Sequence, residues 1–473
     1  MDVLEYARGA LSTGPLCDAC LGRPLGDRSF GLGNDERGRA LRTTVALEDD
    51  EPYDPADAEE CWVCTGVCDS FDTWADHVAR DLVDYEFDTY QVGTRVPALL
   101  EENERLLRED AGLDAEAGEP LKREVNREVG KRVGARVEAD VDFERPDVQV
   151  TLDLDADAID VQINSAFVYG RYRKLERDIP QTEWPCKKCN ETGEIDGEPC
   201  PGCDGTGYRY DESVEELTAP VVREAMDGAE AIFHGAGRED VDALMLGTGR
   251  PFVIEVKEPR SRTVDVESLE AEINDFADGK VEVEGLRVAT HDMVERVKEH
   301  DASKTYQMTV AFAEPVEADD LTDALEELEG ETIEQRTPNR VAHRRGDIVR
   351  TREVYGASGE LDDDEASGEL DDDEASGELD DDEASGELDD GADGARDENL
   401  SDSDDATRAT VEIHGEGGLY VKELVSGDGG RTEPSLAGLL GVDAEVTALD
   451  VLAVKGEEEP FADETYFRDA GEE

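Results

Sequence analysis

The stretch His234-Gly235-Ala236-Gly237-Arg238-Glu239-Asp240-Val241-Asp242 leads into Leu246-Gly247-Thr248-Gly249-Arg250-Pro251-Phe252, after which Phe252, Ile254 and Val256 alternate at spacing two. Glycines permit tight turns and the alternation marks a half-buried strand, so Asp240 sits on a loop entering a sheet. A carboxylate there can face a cleft instead of a core, and Arg238 or another nearby cation can hold it ionised. By residue chemistry alone, Arg-Glu-Asp after glycines is also the composition of a solvated turn. Helical periods and alternating strands recur on both sides of this stretch, which reads as an α+β chain.

The 473 residues suffice for roughly two to four domains. Asp and Glu number 124 against 47 Lys and Arg, for a net charge of -77, and 11 of those 47 bases are lysines. Acid spread along the whole chain reads as adaptation to concentrated salt, where solvated carboxylates maintain solubility. A wholly disordered acidic protein is excluded by apolar periodicity through most of the chain. Nucleic acid is not excluded as a partner. At about 1 M salt the Debye length is only ~3 Å, so distant carboxylates barely repel a phosphate. RNA is then held by hydrogen bonds, stacking and shape more than by bulk charge. No apolar run approaches the ~20 residues of a membrane span, and Met1-Asp2-Val3-Leu4-Glu5 is not the start of a signal peptide, so no membrane partner and a cytoplasmic location are expected.

Eight of the nine cysteines form close pairs, which in a reduced compartment points to metal. Cys17, Cys20, Cys61 and Cys64 make two Cys-x-x-Cys knuckles able to present four thiolates to Zn²⁺, although their wide separation leaves one shared site open. Cys68 is left over and reads as a small buried apolar residue. Cys186, Cys189, Cys200 and Cys203 are closely spaced and form a compact zinc ribbon. Its second half fits Cys-x-x-Cys-x-Gly-x-Gly, as in DnaJ-type zinc repeats, but Glu191 stands where the first half needs glycine. Four thiolates leave no open position, so any zinc is structural.

From Phe71 the residues Trp74, Val78 and Leu82 recur at helical spacing, and a further helix runs from about Pro97 to Leu107. The basic stretch 121–132 reads as surface i,i+4 pairs. Val148 to Ile163 reads as two strands joined at Asp155-Ala156-Asp157. Phe167-Val168-Tyr169-Gly170-Arg171-Tyr172-Arg173-Lys174 interleaves aromatics with cations, a chemistry suited to bases and phosphates, or equally to a strand end packed by its tyrosines. Ser213-Val214-Glu215-Glu216 is a capping box. A helical segment is expected over 264–277, and Tyr306, Met308, Val310 and Phe312 share one face of a strand. Asp319 or Asp320 caps a helix bearing Leu321, Leu325 and Leu328. Arg340 to Arg352 is the densest basic stretch, either a salt-bridged hairpin or a grip for RNA through Arg344, Arg345, Arg350 and Arg352. Ala-Ser-Gly-Glu-Leu-Asp-Asp-Asp-Glu recurs from Ala357, and one Leu per nine residues buries no core, so 357–406 reads as a disordered acidic insertion.

Gly237-Arg238-Glu239-Asp240 resembles the Gly-Arg-x-Asp element of pseudouridine synthases. With Val241-Asp242 and Leu246 to Phe252, it is similar to the archaeal and eukaryotic branch acting on uridines 54 and 55 of the tRNA TΨC arm. The 167–177 segment, the 340–345 run, Gly417-Gly418-Leu419-Tyr420-Val421-Lys422 and Gly427-Asp428-Gly429-Gly430-Arg431 resemble further blocks of that branch in the same order, with Val421 where Ile is commoner. The resemblance covers about four fifths of the chain. It implies a catalytic domain with a central mixed, mainly antiparallel sheet, preceded by a zinc-containing THUMP-type α/β RNA-binding region.

The expected domains are a four-cysteine zinc region over 1–70, a THUMP-type domain over 71–180, a ribbon over 181–210 and the catalytic domain over 211–473. The resemblance makes Asp240 the catalytic carboxylate, attacking ribose C1′ or uracil C6, Tyr306 the ring that stacks on the flipped base, and Lys422 the cation beside Asp240. Tyr420 and Val421 line the pocket, while Arg171, Arg173 and Lys174 contact RNA. No organic cofactor is implied, and a monomer is expected. The competing class is a non-catalytic zinc-ribbon protein that binds tRNA or acts like a chaperone.

Overall fold

The computed structural model describes residues 2–56, 59–299, 302–342, 346–362, 408–455, 461 and 463–468. Helix α1 (Val3–Leu11) is capped by Asp2, whose side chain accepts from the Leu4 N–H at 2.9 Å. Helices α2 (Asp18–Gly22) and α3 (Asn34–Asp49) touch backbone to backbone. Glycine is required there, because a Cβ on Gly38 would lie 1.8 Å from the Asp18 carbonyl oxygen. These helices enclose the first cysteine group.

Next come α4 (Phe71–Asp81), β1 (Thr89–Arg95), α5 (Ala98–Asp110), α6 (Leu121–Val137), β2 (Asp140–Val141), β3 (Val148–Asp153) and β4 (Ala158–Ile163). The expected helices and the strand pair around Asp155-Ala156-Asp157 are present. The strands order β2-β1-β3-β4, with β1 parallel to β2 and β3 and β3 antiparallel to β4. A parallel β1–β3 pair needs a crossover, which α5 and α6 supply. Trp74 and Val78 of α4, with Val125, Val129 and Val133 of α6, pack on Val148, Val150 and Leu152. The polar side of α6 carries the expected ion pairs, such as Arg132 with Glu128 at 2.6 Å.

The second, larger part contains β5 (Ala166–Lys174), the short hairpin β6 (Glu194–Ile195) and β7 (Glu198–Pro199), α7 (Val214–Ala225), β8 (Glu230–Gly235) and β9 (Leu244–Lys257). It continues through α8 (Val266–Phe276), β10 (Val281–Ala289), α9 (His291–Lys298), β11 (Ser303–Phe312), α10 (Ala318–Leu328), β12 (Thr332–Arg336) and β13 (Val349–Leu361). The last elements are β14 (Arg408–Gly415), α11 (Val421–Ser426), β15 (Thr432–Glu433), α12 (Leu436–Leu440) and β16 (Ala444–Lys455). One sheet runs β10-β5-β9-β16-β11-β14-β13-β12-β15, with β8 paired to β9. It is mixed and mainly antiparallel, as the resemblance implies.

The parallel pair is β9–β16, joined at Leu244↔Asp450 and Met245↔Val451. This short seam separates two apolar cores. One lies under α7 and α8, with Phe252, Ile254, Leu269 and Ile273; the other lies under α10, α11 and α12, with Met308, Val310, Leu321 and Leu424. Tyr306 packs against both.

Ser213 caps α7 as its sequence suggests, accepting from the Glu216 N–H at 3.1 Å and donating to the Glu216 carboxylate at 2.8 Å. The cap of α10 is Glu317, not Asp319 or Asp320; those acids occupy the first turn, where they complement the positive end of the helix dipole. The start of the acidic repeats also differs from expectation. Ala357 to Leu361 complete β13 and pair with β14 from Ile413 to Ala409, because Ala357 and Leu361 find apolar partners in the second core. The remaining repeats, from residue 363, lie outside the described residues. Among the described residues no helix is long and apolar enough to cross a membrane.

Candidate active site

The loop 236–243 joins β8 to β9 at the seam between the two cores. Its anchor is Glu239, 7% exposed, whose carboxylate pairs with Arg250 at 2.9 Å and accepts from the Tyr172 hydroxyl at 2.9 Å. Burial, with Glu239 alongside, pushes the Tyr172 hydroxyl well above its ordinary value, so it stays a donor. Gln181 Nε2 donates to the Tyr172 oxygen and to the Gly237 carbonyl, each at 2.9 Å, and Arg250 donates to the Ala236 carbonyl at 2.8 Å. Gly237 takes φ +73, a conformation a side chain would strain. The outcome is alternation along the loop: Arg238 and Asp240 are exposed and Glu239 is buried between them.

Lys422 meets Asp240 from the far side of the seam. Its Nζ lies 3.2 Å from Asp240 Oδ2 and 3.6 Å from Asp242 Oδ2. The Asp240 side chain is 44% exposed and that of Lys422 29%, so the pair is open to solvent. Lys422 is positioned by its neighbours. Gln335, buried on β12, donates to the Tyr420 carbonyl at 3.0 Å and accepts the Tyr420 N–H at 2.9 Å. Glu423 is buried and accepts from Arg340 at 2.6 Å. Burial alone would lower the Arg340 guanidinium, but Glu423 and then Asp240 outweigh it and hold it above the ordinary arginine range. Burial pushes the Tyr306 hydroxyl up to about 12; Arg250 pulls it down and Asp240 pushes it up.

Of the pocket residues expected from sequence, Lys422 meets Asp240, Tyr420 meets Arg350 and Tyr306 packs against both cores, whereas Val421 is buried in the second core. Arg350 donates to the Tyr420 hydroxyl at 3.1 Å and its guanidinium lies 6.0 Å from that ring. Arg171 caps the carbonyls of Thr248 at 2.6 Å and Gly249 at 2.9 Å, and Arg173 pairs with Glu282 at 2.9 Å. Lys174 departs from its expected role. It is fully buried, and its ammonium donates to the carbonyls of Ile179 and Val241 at 2.8 Å, tying the loop beyond Asp240 to β5. Burial draws this lysine below its usual range. The loop closes over a residue that, read along the sequence, looks like the end of a basic surface strand. Arg344 and Arg345 lie outside the described residues.

Glu239, Arg250 and Gln181 hold the loop and Gln335 holds Tyr420, roles that sequence reasoning does not single out. The available signal is the alternation Arg238, Glu239, Asp240, in which the middle residue must face inward if its neighbours face out.

Both cysteine groups are assembled. Cys186, Cys189, Cys200 and Cys203 are buried with all sulfurs within 4.8 Å of one another. The Gly202 and Gly207 N–H groups donate to sulfur at 3.4 and 3.2 Å, as suits thiolates. Glu191, which breaks the glycine pattern, still adopts φ +67, matching Gly205 at φ +88 in the other half. In the first region Cys17, Cys20, Cys64 and Cys68 form the mutually close group. Cys68 thus stands among thiols that could hold a metal ion. A 3₁₀ turn, Val67–Asp69, returns its thiol to the group, where Arg23 donates to it at 3.6 Å and to Cys20 at 3.5 Å. Cys61, expected in that set, adjoins Cys17, Cys20 and Cys64 as a fifth thiol outside the close four. Buried four-thiol donor sets of this kind can hold a metal ion.

Residues 74–153 match the family description "Pus10 THUMP domain, archaeal", and residues 167–371 with 398–455 match "Pus10, C-terminal". The chain is 62% identical over 469 residues to the tRNA pseudouridine synthase Pus10 of Halorubrum lacusprofundi, covering 99% of this chain and 100% of that one. It is 39% identical to the protein of the same name from Methanothrix thermoacetophila, over 96% of this chain and 95% of that one. It is also 39% identical to that of Methanopyrus kandleri, over 95% and 98%. A solved Cbf5-Nop10-Gar1 complex aligns at 18% identity over 50% of this chain and 44% of that one, with a TM-score of 0.23, too low to bear on the fold. With full-length relatives at this identity and both regions matched, the chain belongs to the Pus10 family of tRNA pseudouridine synthases.

Proposed function

We propose that this chain isomerises uridine 54, uridine 55 or both in the TΨC arm of tRNA, with Asp240 as the catalytic carboxylate. The observation that carries this reading is the 3.2 Å pairing of Asp240 with Lys422 across a seam where Tyr306 packs against both cores. The reaction breaks the N1–C1′ bond, turns the uracil and forms C5–C1′. C5 loses its hydrogen and N1 gains one, so the step needs no redox cofactor. An ionised carboxylate serves as nucleophile at ribose C1′ or at uracil C6. Lys422 supplies a cation beside Asp240, and Tyr306 offers a ring for the extruded base.

Arg171, Arg173 and Arg350, all partly exposed, contact the RNA, and by the resemblance Arg344 and Arg345 do so too. The ion pairs of Arg173 with Glu282 and Glu284 are no barrier, since exposed pairs are worth about 0–1 kcal/mol and weaken further in salt. Lys174 is left out of the RNA-contact set. The ion held by each cysteine group is Zn²⁺, with Cys17, Cys20, Cys64 and Cys68 at one site and Cys186, Cys189, Cys200 and Cys203 at the other. Four thiolates close the coordination sphere, so both ions are structural. The acid excess suits a monomer working in a salt-rich cytosol.

The test is to map pseudouridines in tRNA from cells lacking this gene. Loss at position 54 or 55, restored by the wild-type gene, is expected; an unchanged TΨC arm overturns the assignment. If the purified protein binds tRNA but isomerises nothing in molar salt, the non-catalytic binding module takes its place.

A further inference from the structure

The four-cysteine ribbon is inserted between β5 and α7, and its stem reaches the candidate catalytic loop at two points. Gln181, at the entrance, donates to the Gly237 carbonyl at 2.9 Å. Trp184, three residues on, lies under Arg238, whose guanidinium carbon is 5.4 Å from the ring centroid. The return strand of the ribbon secures this tryptophan. Arg209 donates its N–H to the Trp184 carbonyl at 3.0 Å, Pro185 bridges Tyr208, and the Cys186 N–H donates to the Gly207 carbonyl at 2.8 Å. Tyr210 meets the indole edge-on at 5.4 Å and Arg209 lies 5.9 Å from its centroid.

We propose that Trp184 is a positioning residue for the reaction, holding Arg238 so that the ribbon fixes the outer side of the loop that carries Asp240. The inference rests on the assignment of Asp240 made above. The inner side of the loop is fastened by Glu239 and Lys174, but Arg238 points outward, two residues before Asp240. In a chain with 124 acids, an exposed arginine is readily drawn to any of them. A carboxylate partner would also be screened in molar salt, whereas close contact with an aromatic face is less sensitive to screening. The ribbon's buried thiol group and the crossed glycines beneath it make a firm base. A Cβ on Gly193 would lie 2.2 Å from the Gly205 carbonyl oxygen, and one on Gly207 would lie 2.4 Å from that of Glu191. Trp184 thus links a rigid insertion to a loop whose geometry must hold to a fraction of an ångström.

The test uses full-length protein with its metal retained, comparing Trp184→Ala, Trp184→Phe, Arg238→Ala and the double variant for kcat, KM and tRNA affinity. Trp184→Ala should lower kcat roughly tenfold or more, with KM and Kd within about twofold. Trp184→Phe should recover most of the loss, and the double variant should be no slower than Arg238→Ala alone. Hydrogen exchange of the 236–243 amides, which does not depend on turnover, should accelerate in Trp184→Ala and stay near wild type in Trp184→Phe. A loss confined to KM or Kd, losses that multiply in the double variant, or unchanged exchange would each overturn the proposal. A wild-type protein without isomerase activity would instead overturn the assignment of the reaction, leaving the exchange experiment to judge the coupling.

Discussion

Lys422 Nζ stands 3.2 Å from Asp240 Oδ2, although the elements beside them, β9 and α11, pack into different apolar cores. Asp240 rides on the loop before β9, and Lys422 on the first turn of α11, behind a tyrosine whose backbone Gln335 grips on both sides. The pair therefore reports whether the seam between the halves is correctly closed.

Lys422→Met should lower kcat by on the order of a hundredfold with little change in tRNA affinity, since the cation acts on the carboxylate more than on the RNA. Lys422→Arg should retain more activity than Lys422→Met. Steady-state turnover of a TΨC-arm transcript measures both; equal losses in kcat/KM and in binding would instead make Lys422 an RNA contact.

Glu239 and Arg250 form a buried pair, each side chain 1% exposed. Removing one partner leaves an uncompensated charge, so Glu239→Ala should cost about 3–5 kcal/mol in unfolding free energy. Lys174→Met should cost about 1–3 kcal/mol, because it strands the carbonyls of Ile179 and Val241. Chemical denaturation in molar salt reads both. Stability within error of wild type would mean that the loop is not anchored as described.

The wild-type chain should carry two metal equivalents. Cys203→Ser and Cys68→Ser should each reduce that to one, whereas Cys61→Ser should retain two. Elemental analysis decides the matter. Retention of two in Cys68→Ser together with loss in Cys61→Ser would restore the ligand set expected from Cys-x-x-Cys spacing alone.

Acid should weaken the β8–β9 pair through Glu255 and His234, which are joined at 2.9 Å. Burial by itself would raise the Glu255 carboxyl, but Lys257 and His234 bring it down to about 2. Burial lowers His234, outweighing the pull of Glu255. Both folded values lie below their unfolded ones, so each contribution is complete above the unfolded value, near 6.5 for His and about 4.3 for Glu. Each is then lost as pH falls towards the folded value. Melting temperature should decline from about pH 6.5 downward, and Glu255→Gln should flatten the part below about pH 4.5. A Glu255→Gln profile that parallels wild type there would contradict the assignment.

What could be read from the sequence was local. The glycines around Asp240, the alternation through Tyr306 and the knuckles at Cys186 and Cys200 declare themselves within a few neighbours, because turn geometry and strand period are short-range properties. The residues that could not be read are those whose role depends on distant chain. Lys174 looks like part of a basic surface until the Asp240 loop closes over it, and Glu239 looks solvated until Tyr172 and Arg250 converge on it. Cys68 looks spare until a single 3₁₀ turn brings it back to Cys17. Ala357 to Leu361 look like the opening of a structureless repeat, and only β14, far along the chain, supplies the partner that makes them a strand. Trp184 gives no local sign of serving Arg238. In each case the missing information was a tertiary contact, not a propensity.

The most direct test is to incubate a TΨC-arm transcript in molar salt with wild-type protein and with Asp240→Asn, under single-turnover conditions, and to quantify pseudouridine at positions 54 and 55. Wild type should convert at least one of these uridines, while Asp240→Asn binds the transcript with unchanged affinity and forms no pseudouridine. Pseudouridine formed by Asp240→Asn at a rate near that of wild type would show that the chemistry belongs to another residue.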